Sequence, residues 1–206
     1  MSNNDFLDVV VNRRSIRRYK DNKIDKQEIL DILNLAVKSP SSRNMQPWEF
    51  VVVESDEAKD NLSQMVYSNV QQIKTSSFAL IIFSRQILED NIEVVAEGEV
   101  VSGNFPAENK DEYVAYMKKS YASMDDDSKA HIATFDAGLL TANFLNAARH
   151  FGYDTNVIGG FVRDQVKDAF APADNLNPAI VISVGIADEE GKTTYRIPAE
   201  DITKFV

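Results

Sequence analysis

Residues 39–53 read SPSSRNMQPWEFVVV, and the chain passes from helix through loop to strand within them. Upstream, residues 24–38 carry a helical pattern, with Ile29, Ile32, Leu33, Ala36 and Val37 on one apolar stripe. Asp25 and Glu28 have capping-box spacing, and Ile24 and Ile29 are placed as a hydrophobic staple. Ser39-Pro40 ends this helix, because the residue before a proline is pushed out of the α region. Downstream, residues 50–54, 78–83 and 179–185 are β-branched or apolar runs and read as buried strands. Residues 136–151, DAGLLTANFLNAARHF, are apolar on more than one face, which predicts a buried helix stopped by Gly152. Val162, Val166, Ala169 and Phe170 mark a further amphipathic helix closed by Pro172. Strands separated by helices give a mixed α and β class rather than a sandwich.

A chain of 206 residues with no Gly/Ser linker and no internal repeat predicts one domain over 1–206. It is long enough to bury a core without metal or disulfide staples. Its 22 Lys and Arg face 32 Asp and Glu, a net charge of −10. That balance argues against nucleic acid and against an anionic membrane surface as partners. The absence of Cys excludes disulfides, thiol nucleophiles and thiolate-held metals, and His131 and His150 alone cannot make a His-rich metal site. The apolar runs are too short to span a bilayer, and MSNNDFLDVVVNRRS at 1–15 lacks the apolar stretch of a secretory signal. A cytoplasmic location is the expectation. Neither GxGxxG nor GxxxxGK[ST] occurs, so dinucleotide-fold and P-loop readings have no motif behind them.

Three segments have the residue types for ligand chemistry. RRSIRRY at 13–19 sets four arginines around a serine with no acid among them. Guanidinium forks grip phosphate oxygens in pairs, although a solvated basic patch has the same composition. Residues 39–53 combine small hydroxyls, Asn44, Gln46 and the only Trp between a helix and a strand, which suits either a planar heterocycle or a turn satisfying its own backbone. NVIGGF at 156–161 allows close backbone approach to a ligand, or an ordinary tight turn. Between them, residues 89–127 are acid-rich, with Tyr113, Tyr116 and Tyr121 interspersed, and read as a surface excursion.

These segments occur in this order, followed by YRIP at 195–198, and the ordered set resembles the flavin-dependent nitroreductase family over nearly the whole chain. The resemblance implies an α+β nitroreductase-like fold with a central, mainly antiparallel sheet surrounded by helices. It implies a homodimer whose C-terminal extension is exchanged with the partner and whose FMN lies at the interface. It implies ping-pong hydride transfer from NADH or NADPH to nitroaromatic, quinone or related small-molecule acceptors. Carried across by motif, Arg13, Arg14 and Ser15 match phosphate and ribityl contacts, and Arg17 a cation beside the flavin N1–C2=O edge. Pro40, Ser41, Ser42 and Asn44 match contacts to the partner's FMN. Asn69 matches an amide on the pyrimidine edge, Ile158, Gly159 and Gly160 the turn beside N5, and Arg196 a phosphate contact. About 85–128 corresponds to the variable region over the flavin, with 105–121 over its open face. No side chain is implied as acid, base or nucleophile. Thr194 stands where many relatives have Lys, with Lys192 the candidate replacement; Gly159 stands where some carry Glu. A non-catalytic flavin carrier or regulator of the same fold is the alternative.

Overall fold

After Ser39-Pro40 the chain enters the edge of a four-stranded sheet. The computed structural model describes residues 6–85 and 87–206; the first residues of the 1–15 stretch lie outside them. Strand order is β1 (Trp48–Val53), β2 (Phe78–Arg85), β4 (Leu176–Gly185), β3 (Asp154–Ile158), with every neighbouring pair antiparallel. Helices α2 (Lys26–Ala36) and α7 (Asp126–His150) cover one face, where Phe78, Leu80, Ile82, Ile182 and Val184 are buried. On the other face lie α3 (Asp56–Ser63), α4 (Val70–Thr75) and α8 (Arg163–Phe170), over Ala79, Ile81, Phe83 and Val181. A central strand covered on both faces has no polar side to show, and FALIIF is accordingly buried throughout.

Pairing rather than composition sets the strand ends. The first strand begins at Trp48, not 50, because Trp48 pairs with Ser84, and it ends before Glu54. The strand read at 179–185 starts at Leu176, and its register shifts between Ile82 and Phe83, where Pro178 sits. A bulge is a place where a strand tolerates a residue with no N–H. The edge strand β3 was not anticipated, since its DTNVI lacks the β-branched run of its neighbours.

The capping box does not form. Asp25 is the N-cap in extended geometry, but its side chain makes no cap hydrogen bond, and Glu28 instead accepts from the Tyr153 hydroxyl at 2.7 Å. A tertiary partner has won over a local one. The staple stands, with Ile24 and Ile29 in one cluster. Helix α7 begins well before 136, at Asp126, where the Asp125 carboxylate accepts from the Ser128 N–H at 2.8 Å. The acid-rich excursion is also more ordered than its composition suggested. It folds as α5 (Ile92–Val101) and α6 (Lys110–Ala122) around a small core of Leu88, Ile92, Val95, Met117 and Tyr121. Glu93–Lys118 and Glu97–Lys110 ion pairs tie the two helices together. Among the described residues, no helix is long and apolar enough to cross a membrane.

Candidate functional site

A short helix, α1 (Phe6–Asn12), delivers the chain into the arginine run. Beyond it the backbone is pinned on both sides. The Ile16 N–H donates to the Thr155 carbonyl at 3.1 Å, and the Lys20 N–H to Ile186 at 2.8 Å. Ile16 and Tyr19 point into the core, the Tyr19 hydroxyl sharing a 2.9 Å hydrogen bond with Ser183 Oγ. Burial pushes that phenol far above its ordinary pKa. With the apolar residues turned inward, the arginines are left at the surface.

Arg13, Arg14, Ser15 and Arg17 line one cavity of about 510 Å³ with Lys192, Thr193, Thr194 and Arg196, while Val10, Val11 and Asn146 complete the wall. Five cations and no carboxylate line it. Lys192, the candidate replacement for the family lysine, and Thr194 both line the cavity. Arg18 is excluded from it, held by Asp188 at 3.2 Å. The C-terminal segment lies so close that a Cβ on Gly191 would sit 2.4 Å from Arg14 Cβ and 2.6 Å from its Cγ. Only glycine permits this approach.

Ile158, Gly159 and Gly160 form a second group. Ser15 bridges Thr155 in parallel, and Ile158 lies three residues further along β3, roughly 10 Å at 3.3–3.4 Å per residue. Neither glycine has positive φ, and the chain runs on to a bridge between Val66 and Phe161. The Tyr67 N–H donates to the Gly160 carbonyl at 3.0 Å, which brings Asn69 to the same region as the N-cap of α4. The Asn69 side chain makes no cap bond.

Pro40, Ser41, Ser42 and Asn44 form a third group, and none lines the arginine cavity. Their loop carries positive φ at three non-glycine residues, Arg43 (54°), Asn44 (59°) and Gln46 (49°). It is held by bonds from elsewhere: Ser42 N–H to Asp136 at 3.0 Å, Asn91 Nδ2 to the Met45 carbonyl at 2.9 Å, and Asn44 Nδ2 to Glu99 at 2.9 Å. Asn146, Asp136 and Gly191 were not singled out from the sequence. For the first two there was a signal, a polar residue within a mostly apolar stretch of helix, shared with Thr141 and Asn143.

The Nitroreductase family model matches residues 10–186. The chain belongs to the nitroreductase family. Among its relatives, YdgI of Bacillus subtilis, named an NAD(P)H nitroreductase, is 33% identical, with 98% of each chain covered. A CLA biosynthesis enone reductase from Lactiplantibacillus plantarum is 30% identical over 99% of this chain and 95% of its own. A crystal structure of a nitroreductase from Exiguobacterium sibiricum in complex with FMN superposes with a TM-score of 0.95 at 34% identity, covering 100% of this chain and 99% of that one. The nitroreductase-like α+β fold follows from both sequence and architecture.

Proposed function

We propose that this nitroreductase-family protein is an FMN-dependent NAD(P)H oxidoreductase, working as a homodimer on nitroaromatic, quinone or related acceptors. The observation that carries the reading is the acid-free cavity with its five cations. In a chain of net charge −10, such a cluster stays assembled at low cost only if an anion neutralises it. The donor set fits a phosphate monoester: guanidinium forks from Arg13, Arg14 and Arg196, an ammonium from Lys192, and hydroxyls from Ser15, Thr193 and Thr194. FMN, held by these residues, would supply the hydride-transfer chemistry of a ping-pong reaction between NAD(P)H and an acceptor.

The chain's own residues bind and orient. Arg13 and Arg196 hold the phosphate, and Arg17 places positive charge where reduction leaves negative charge. Ile158, Gly159 and Gly160 offer backbone groups beside the ring, and Asn69 offers its amide to the pyrimidine edge. Ser41, Ser42 and Asn44 stand outside the cavity, which fits a role across a dimer interface. The enone reductase relative adds unsaturated ketones to the acceptors worth assaying.

The test is the absorption spectrum of the purified protein before and after anaerobic NADH or NADPH. A yellow protein bleached by the nucleotide is expected. A yellow protein that neither nucleotide bleaches is the carrier alternative, and a colourless one that FMN does not stabilise overturns the reading. Arg13→Ala and Arg196→Ala each remove a charge-assisted bond of about 1.5–3 kcal/mol, so each weakens FMN binding about tenfold or more. Equilibrium dialysis against FMN checks it.

A further inference from the structure

Asp136 lies within the apolar stretch of α7, 1% exposed, with no cation among its hydrogen-bond partners. Its carboxylate accepts from Ser42, the backbone N–H at 3.0 Å and the hydroxyl at 3.4 Å. A carboxylate buried this deeply is costly, so it stays only where the bond it makes matters to the structure. The bond falls immediately before Arg43, Asn44 and Gln46, the three residues held in the left-handed region that L side chains avoid. Two turns along the same helix, Asn143 donates to the Leu35 and Ala36 carbonyls, both at 3.0 Å. Helix α7 therefore grips the connection at both ends, where it leaves α2 and where it enters the strained loop.

We propose that Asp136 is a positioning residue for the flavin, acting through Ser42 to keep the Ser41–Gln46 backbone in its strained conformation. The inference rests on the reading that Ser41, Ser42 and Asn44 meet the partner's FMN. Strain of this kind persists only while the surroundings over-determine it. The carboxylate supplies the N-terminal anchor, and Asn91 supplies the other through the Met45 and Gln46 carbonyls.

The experiment compares the full-length parent with Asp136→Ala, Asp136→Asn and Asn44→Ala. Amide hydrogen exchange at residues 42–46 is read in the apoprotein, and FMN affinity by fluorescence titration. In Asp136→Ala, exchange across 42–46 is expected to speed at least tenfold and FMN affinity to fall about tenfold. Asp136→Asn, which keeps an acceptor for the Ser42 N–H, is expected to restore most of both. Unchanged exchange in Asp136→Ala overturns the anchor. Faster exchange with parental FMN affinity overturns the positioning role. In that case Asn44→Ala separates the causes: weaker binding there leaves the loop–flavin contact standing and removes only Asp136, whereas parental binding removes the contact itself. Should Asp136→Ala not fold, Asp136→Val fills the same volume without an acceptor and is read the same way.

Discussion

Arg17 and Arg18 are neighbours with different surroundings. Arg18 is paired with Asp188 at 3.2 Å, whereas the Arg17 side chain lines the cationic cavity and only its backbone N–H meets an acid, Glu189, at 2.5 Å. A fixed cation near a reduced, anionic ring favours reduction. Arg17→Gln keeps a donor of similar reach and removes the charge. For a two-electron couple 30 mV corresponds to about 1.4 kcal/mol, so the flavin midpoint potential should fall by tens of millivolts. Arg18→Gln should leave it nearly unchanged, and a potentiometric titration with a reference dye compares the two. Gly191 has its own test. Gly191→Ala inserts a methyl against the base of Arg14, which has no flexible end there to swing away. FMN affinity should drop severalfold while the apoprotein melts near the parent temperature; parental affinity would mean that Arg14 is not needed at the phosphate.

Helix α7 is the element on which most of the arrangement turns, because it packs on the sheet, lines the cation cavity through Asn146 and anchors the strained loop through Asp136. Burial raises the Asp136 pKa above its ordinary value, partly offset by the Ser42 bonds. Tyr121 is the titratable group nearby and Arg43 the nearby cation, stacked 5.3 Å over the Tyr121 ring. A folded-state pKa above the unfolded one means the native state holds the proton longer. Asp136 therefore costs more stability as pH rises through the interval between the two values. Asp136→Asn cannot ionise, so melting temperatures of parent and variant should diverge in the variant's favour as pH climbs from about 4 to 7. A pH-independent difference would contradict the burial of an ionised carboxylate. This element also shows what the sequence could disclose. The strands at 78 and 179 announced themselves by composition, and both exist, although pairing carries the first on to Arg85 and starts the second at Leu176. Asp136 and Ser42 lie 94 positions apart, and no local pattern pairs them. Strand β3 escaped notice because Asp, Thr and Asn become a strand only by pairing with β4. The two helices of the acid-rich stretch escaped notice because a few buried side chains per helix leave little periodicity.

At the scale of the whole molecule, apolar surface is concentrated where the chain has nothing of its own to cover it. Phe6, Leu7, Val10 and Val11 of α1 are 74%, 69%, 47% and 56% exposed, and Tyr195, Ile197, Ile202 and Phe205 of the C-terminal segment are exposed as well. Exposed apolar residues in these two segments are the surface that the proposed homodimer would cover. Light scattering on the flavin-loaded protein should give twice the 23.1 kDa chain mass, and a monomer with full flavin occupancy would refute a site shared between subunits. The cation cavity, finally, has a history written into its walls. One side comes from residues 13–17 and the other from 192–196. At about 5–20 residues per second, a ribosome needs on the order of 9–35 s to pass from Arg17 to Lys192, and through that time it has made one wall alone. A nascent or prematurely terminated polypeptide therefore lacks half of the cation cavity, however well its sheet has formed. A protease cut upstream of Lys192 should therefore loosen the flavin without any reductant, and gel filtration would then part more of the yellow cofactor from the protein than in the uncut parent.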